Sequence, residues 1–154
     1  MSRAFVKDSD GADGEELAEL KVSPHRNLVT AEGLRLIDCE VERLRAELAA
    51  SRAADDRAVT RRIQRDLRYW SERKRTAEPV PPAAPGGKAR FGSEVLLRKD
   101  DGGTVAYRIV GEDEADPAQG RISYVSPIAQ YLIGRAAGDQ INLPDGPAEV
   151  VEVR

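Results

Sequence analysis

A single cysteine, Cys39, and a single histidine, His25, are all that the chain holds of the two residue types that most often bind metals or serve as nucleophile and base. One cysteine permits no disulfide framework within the chain, so a reducing compartment is implied, and Cys39 reads as a small residue beside an apolar seam. A lone histidine in a polar stretch, with no companion ligand or nucleophile, reads as a loop residue rather than a base. Aromatic residues are scarce as well, at 5% of 154 residues, which suits a modest core. No apolar run approaches the length of a membrane span and the first residues lack the apolar centre of a signal peptide, so a cytoplasmic location with no membrane partner is expected. The net charge of −3 is too small to make nucleic acid the main partner.

What the chain does have is charge, 33% of it, arranged on helical periods. Between Thr30 and Glu78 the residues Leu34, Ile37, Val41, Leu44 and Leu48 recur at spacings of three and four, the narrow seam of a coiled coil. A polar interruption, 53–57, precedes a second seam of Val59, Ile63, Leu67 and Trp70. A break this short returns the second helix antiparallel to the first. Neither helix has a second apolar face, so the hairpin, 27–78, should project as a finger. Thr30 suits the N-cap, with Glu32 in the first turn where the helix dipole favours an anion. Trp70 is expected to be well buried at the finger base, against Leu34 or Ile37. Eight basic residues lie between Arg57 and Arg75 against Asp66 and Glu72, and Arg57, Arg61, Arg65 and Arg68 form a stripe at helical spacing. The stripe reads as a solvated face paired with Glu40, Glu42 and Glu47 across the hairpin, in preference to a direct nucleic-acid contact.

Residues 1–26 read as a mobile tail, acidic and interrupted by glycine. Proline and glycine crowd 79–90, which cannot continue a helix and serves as the linker. Beyond it the period becomes that of strands. Strands are expected at 94–98, 104–110, 121–125, 140–143 and 148–153. Ser126 and Pro127 open a short helix, 128–133, as N-cap and first helical residue, and Gly134 stops it. The fold class is α+β: an antiparallel helical hairpin followed by a small, mostly antiparallel sheet domain, 91–154.

The stretch IVGEDEAD, Ile109 to Asp116, followed by GRISYVSPIAQYLIGRAAGD, Gly120 to Asp139, resembles the C-terminal domain of the bacterial elongation factors GreA and GreB. VTAEGL at 29–34 and DLRYW at 66–70 are similar to the two ends of that family's coiled coil. The resemblance implies a C-terminal fold like the FK506-binding proteins, without isomerase activity. It also implies a domain that docks on RNA polymerase at the secondary channel, with Ser126, Pro127 and Ala129 in the docking segment. Any contact with nucleic acid would then be indirect, within the elongation complex, and a monomer is expected.

Typical members carry an acidic D-x-S-E-N-A-x-Y motif at the finger tip that brings Mg²⁺ into the polymerase active centre, and this sequence has none. By the resemblance the hairpin is also short by roughly ten residues per arm, about 15 Å at the helical rise. That brings it nearer the relatives called regulators of nucleoside diphosphate kinase. The tip offers Asp55 and Asp56, which read either as two carboxylates for a metal or, preferably, as a cap on the returning helix. The expectation is an elongation or pausing regulator that is not itself an enzyme and has no cofactor of its own, Mg²⁺ belonging to the polymerase. The alternatives are an active transcript-cleavage stimulator using Asp55 and Asp56 or, from a different class, a prolyl isomerase or chaperone.

Overall fold

The computed structural model describes residues 17–154, so 1–16 of the segment read as a tail lie outside the described residues. Two helices, α1 (Ala31–Ala53) and α2 (Arg57–Thr76), form the hairpin. α1 begins where Thr30 Oγ1 accepts the Gly33 N–H at 2.9 Å, and ends where Asp55 enters the left-handed region at φ 53°. Aspartate is among the few residues that tolerate this conformation. The antiparallel register is fixed by two cross-hairpin contacts, Thr60 to Ser51 near the tip and Lys74 to Asp38 toward the base. Ile37, Val41 and Leu44 of the first seam are buried, whereas only Ile63 of the second is.

Two expectations for the hairpin are corrected. Trp70 is only half-buried, edge-on to Tyr69 with ring centroids 5.3 Å apart. The fully buried residue of that helix at the base is Arg73, 1% exposed, because an acidic loop rather than an apolar surface closes the finger there. Nor do the glutamates of α1 reach the basic stripe. Glu40 and Glu47 hold Arg43, and Glu42 holds Arg45, all within α1. Partners three or four residues apart on one helix already face each other, so same-helix pairing prevails.

At the base of the finger β1 (Leu28–Val29) pairs in parallel with β2 (Glu78–Pro79). The donors are Glu78 N–H to Asn27 O and Val80 N–H to Val29 O, at 2.8 and 2.9 Å, so the missing N–H of Pro79 falls where no donor is required. The sheet domain follows, with β3 (Glu94–Lys99), β4 (Thr104–Val110), β5 (Arg121–Ser123), α3 (Pro127–Leu132), β6 (Gln140–Leu143) and β7 (Gly146–Val153). The strand order is β5-β4-β3-β7-β6, antiparallel except for the parallel β4–β5 pair. Inward residues at period two, such as Val95 and Leu97 of β3 and Ala148 and Val150 of β7, meet Ala129 and Leu132 of α3 in the core. Ala89 joins this core, and Gly86 N–H donates to Val153 O at 2.9 Å, so the later half of 79–90 is packed against the sheet.

Candidate functional site

Three places bear on function: the tip of the finger, its base, and the turn before α3. At the tip Asp56 is the N-cap of α2, its Oδ1 accepting the Val59 N–H at 3.0 Å. That leaves Asp55 as the one tip carboxylate without such a role, in a concavity it shares with Arg52, Arg57, Thr60 and Arg61. Divalent cations require several oxygen ligands at once. One spare carboxylate among three guanidinium groups does not fit Mg²⁺, and among the described residues no three of His, Cys, Asp and Glu come together as a metal site.

The basic stripe is divided. Arg65 turns to its neighbour Asp66 at 2.7 Å, and Arg68 pairs with Glu19 of the segment preceding the finger. Arg57 and Arg61, nearer the tip, are exposed and have no carboxylate partner among the described residues. 

The base is where the loop Gly111–Asp116 of the sheet domain meets the hairpin. Arg73 Nε donates to Asp113 Oδ2 at 2.6 Å, and the Tyr69 hydroxyl donates to the other oxygen of Asp113 at 3.1 Å. Burial first, and the Asp113 charge second, push the Tyr69 phenol above its ordinary range. Glu112 lies 3.7 Å from Arg73 and accepts from the Ser23 hydroxyl at 3.0 Å. Glu114, 4% exposed, accepts the hydroxyl proton of Thr30, the residue whose oxygen caps α1. Thr30 thus ties the start of the finger to the sheet domain with one side chain. Asn27 Nδ2 donates to Arg73 O at 2.7 Å, and the Tyr124 hydroxyl donates to Arg26 O. The loop approaches so closely that a Cβ on Gly111 would sit 2.4 Å from Leu28 O.

None of this latch was expected from the sequence. The signal was nonetheless present, since an acidic run at 112–114 and a basic run closing α2 are complementary. At the third place Ser126 accepts the Ala129 N–H at 3.3 Å and Pro127 occupies the first turn, exposed. Ala129 is fully buried, so it cannot itself touch a partner, and the exposed large apolar residues on and just after α3 are Tyr131 and Ile133.

The family described as "Transcription elongation factor, GreA/GreB, C-term" matches residues 84–154. The transcription elongation factor GreA of Alkalilimnicola ehrlichii is 48% identical over 85 residues, which are 51% of this chain and 54% of that protein. The transcription elongation factor GreB of Neisseria meningitidis serogroup B is 38% identical over 94 residues, 58% of each. The chain thus spans about half the length of the curated relatives it matches. Among solved structures, the elongation factor GreA/GreB from Nitrosomonas europaea is 24% identical, covering 82% of this chain and 97% of that one with a TM-score of 0.40. Residues 84–154 are thus similar to the C-terminal domain of the GreA/GreB transcription elongation factors.

Proposed function

We propose that this chain regulates transcript elongation by docking on RNA polymerase through its C-terminal domain and presenting the short finger at the secondary channel, without delivering a metal ion. The observation that carries the reading is the family match over residues 84–154, which covers the sheet domain and the latch loop that holds the finger. Pro127, Tyr131 and Ile133, on and just after α3, are exposed and offer apolar surface to a docking partner. On this reading the protein acts on the polymerase and is no free-standing enzyme. The named relatives are elongation factors, so the isomerase reading gains no support from them.

Cleavage stimulation is disfavoured because Asp56 is committed as a cap and Asp55 is flanked by arginines. The test is to add the purified protein to backtracked elongation complexes and follow RNA length and pausing. The expected result is a change in pausing or elongation rate with no shortened RNA, and reduced polymerase capture by a Pro127→Asp variant. Mg²⁺-dependent shortening of the RNA that vanishes in Asp55→Asn/Asp56→Asn would establish the cleavage reading instead. Failure to capture polymerase at all would remove the proposal.

A further inference from the structure

We propose that the finger tip is an anion site that takes two or three linked phosphates, as in tripolyphosphate or the polyphosphate end of a nucleotide. Arg52 from the last turn of α1, Arg57 at the start of α2 and Arg61 one turn later line a concavity of about 420 Å³ together with Asp55 and Thr60. Three positive charges against one negative leave a surplus of two.

These arginines differ from two others of the hairpin. Arg43 and Arg45 are neutralised by glutamates one turn away. Arg52, Arg57 and Arg61 make no such pair among the described residues, although two carboxylates lie in the same turn. Asp56 is turned toward the α2 backbone, and Asp55 forms no ion pair with the arginines beside it. The guanidinium groups are therefore left with their donors free in a concave surface.

The scaffold beneath them is fixed. The Thr60 hydroxyl donates to Ser51 Oγ at 2.9 Å, and the Ser51 hydroxyl in turn donates to Leu48 O at 3.0 Å, with Ser51 buried. This chain joins the turn that carries Arg52 to the turn that carries Arg57 and Arg61. A planar guanidinium fork matches two oxygens of a phosphate. Three such forks, carried by the last turn of α1 and the first two turns of α2, line a concavity of about 420 Å³, more room than one phosphate fills, and suit a short run of linked phosphates.

An extended nucleic-acid strand would need the positive stripe to continue along α2. The residues that would continue it, Arg65 and Arg68, are already engaged by Asp66 and Glu19. On α2 the arginines without a carboxylate partner among the described residues are confined to 57–62, next to the tip, which favours a compact polyanion.

The test is calorimetric titration of the full chain, alone and at low salt, with tripolyphosphate, orthophosphate, ATP and a short single-stranded RNA. Tripolyphosphate is expected to bind tighter than orthophosphate by roughly tenfold or more, since at least one further charge-assisted contact forms. Arg57→Ala/Arg61→Ala should lose that binding while keeping its far-ultraviolet circular dichroism, because both side chains are exposed. Arg90→Ala/Arg108→Ala, exposed arginines of the sheet domain, should keep it. ATP binding as tightly as tripolyphosphate identifies a nucleotide as a sufficient source, and weaker binding identifies the free polyphosphate. No binding, equal binding of orthophosphate, equal loss in both double variants, or tighter binding of the RNA would each overturn the proposal. Because polymerase is absent from this experiment, its outcome is independent of the elongation reading.

Discussion

Replacing Arg73 with methionine should cost more stability than any other single change in the finger. The guanidinium is 1% exposed and its Asp113 partner 11%, so removing it strands a carboxylate in a largely dry site. Breaking one side of such a pair costs about 3 to 5 kcal/mol. The partly buried Trp70, cut to alanine, should cost roughly 2 kcal/mol, since part of its surface is already in water. At a urea slope of about 2 kcal/mol per molar, Arg73→Met lowers the midpoint by roughly 1.5 to 2.5 M. Urea titrations followed by circular dichroism and by Trp70 fluorescence read this directly. The control is the double variant Arg73→Met/Asp113→Leu. Exchanging both charges for apolar groups of similar volume is often nearly neutral, so the double variant should recover most of the loss. A drop under about 1 kcal/mol for Arg73→Met, or a double variant as weak as the single, would refute the view that a desolvated ion pair fixes the finger base.

Thr30→Val keeps the shape of the side chain but removes both the α1 cap and the proton donated to buried Glu114, and should cost about 2 to 4 kcal/mol, with Thr30→Ser close to wild type in the same titration. Gly111→Ala places a methyl group 2.4 Å from the Leu28 carbonyl oxygen, a backbone atom that cannot swing aside, so the finger should detach from the loop and amide hydrogen exchange at Leu28–Thr30 should rise. Asp55→Gly relieves a left-handed residue and should raise the melting temperature slightly, by the equivalent of roughly 0.5 to 1 kcal/mol.

The hairpin was legible because its seam repeats. Ile37, Val41, Leu44 and Ile63 are buried as the spacing requires, and Thr30 caps α1 as its neighbours suggest. The strands were legible from alternation and from turn residues such as Gly102, whose φ of 82° only glycine adopts freely. What could not be read were the long-range polar choices. Arg73 lies 40 residues from Asp113, and nothing local distinguishes it from the exposed Lys74 beside it. Trp70 misled for the reciprocal reason, since a large apolar residue on the seam is normally the buried one. At the tip, Asp55 and Asp56 looked equivalent in sequence, and only the backbone separates a left-handed turn residue from a cap.

The latch matters because the finger is a lever. α1 has 23 residues, so at the helical rise its tip stands about 35 Å from its base, and a tilt of about 10° there carries the tip roughly 6 Å. An apolar joint tolerates such tilts, since its contacts are non-directional. The joint here is polar and directional: Arg73 on Asp113, Tyr69 on the same carboxylate, Thr30 on Glu114, and Asn27 on the Arg73 carbonyl. Tilting the finger breaks several of these at once, and each buried group left without a partner bears its full desolvation cost. A polar joint therefore holds the tip in one place with respect to the sheet domain, as the proposed docking by that domain and action through the tip would require.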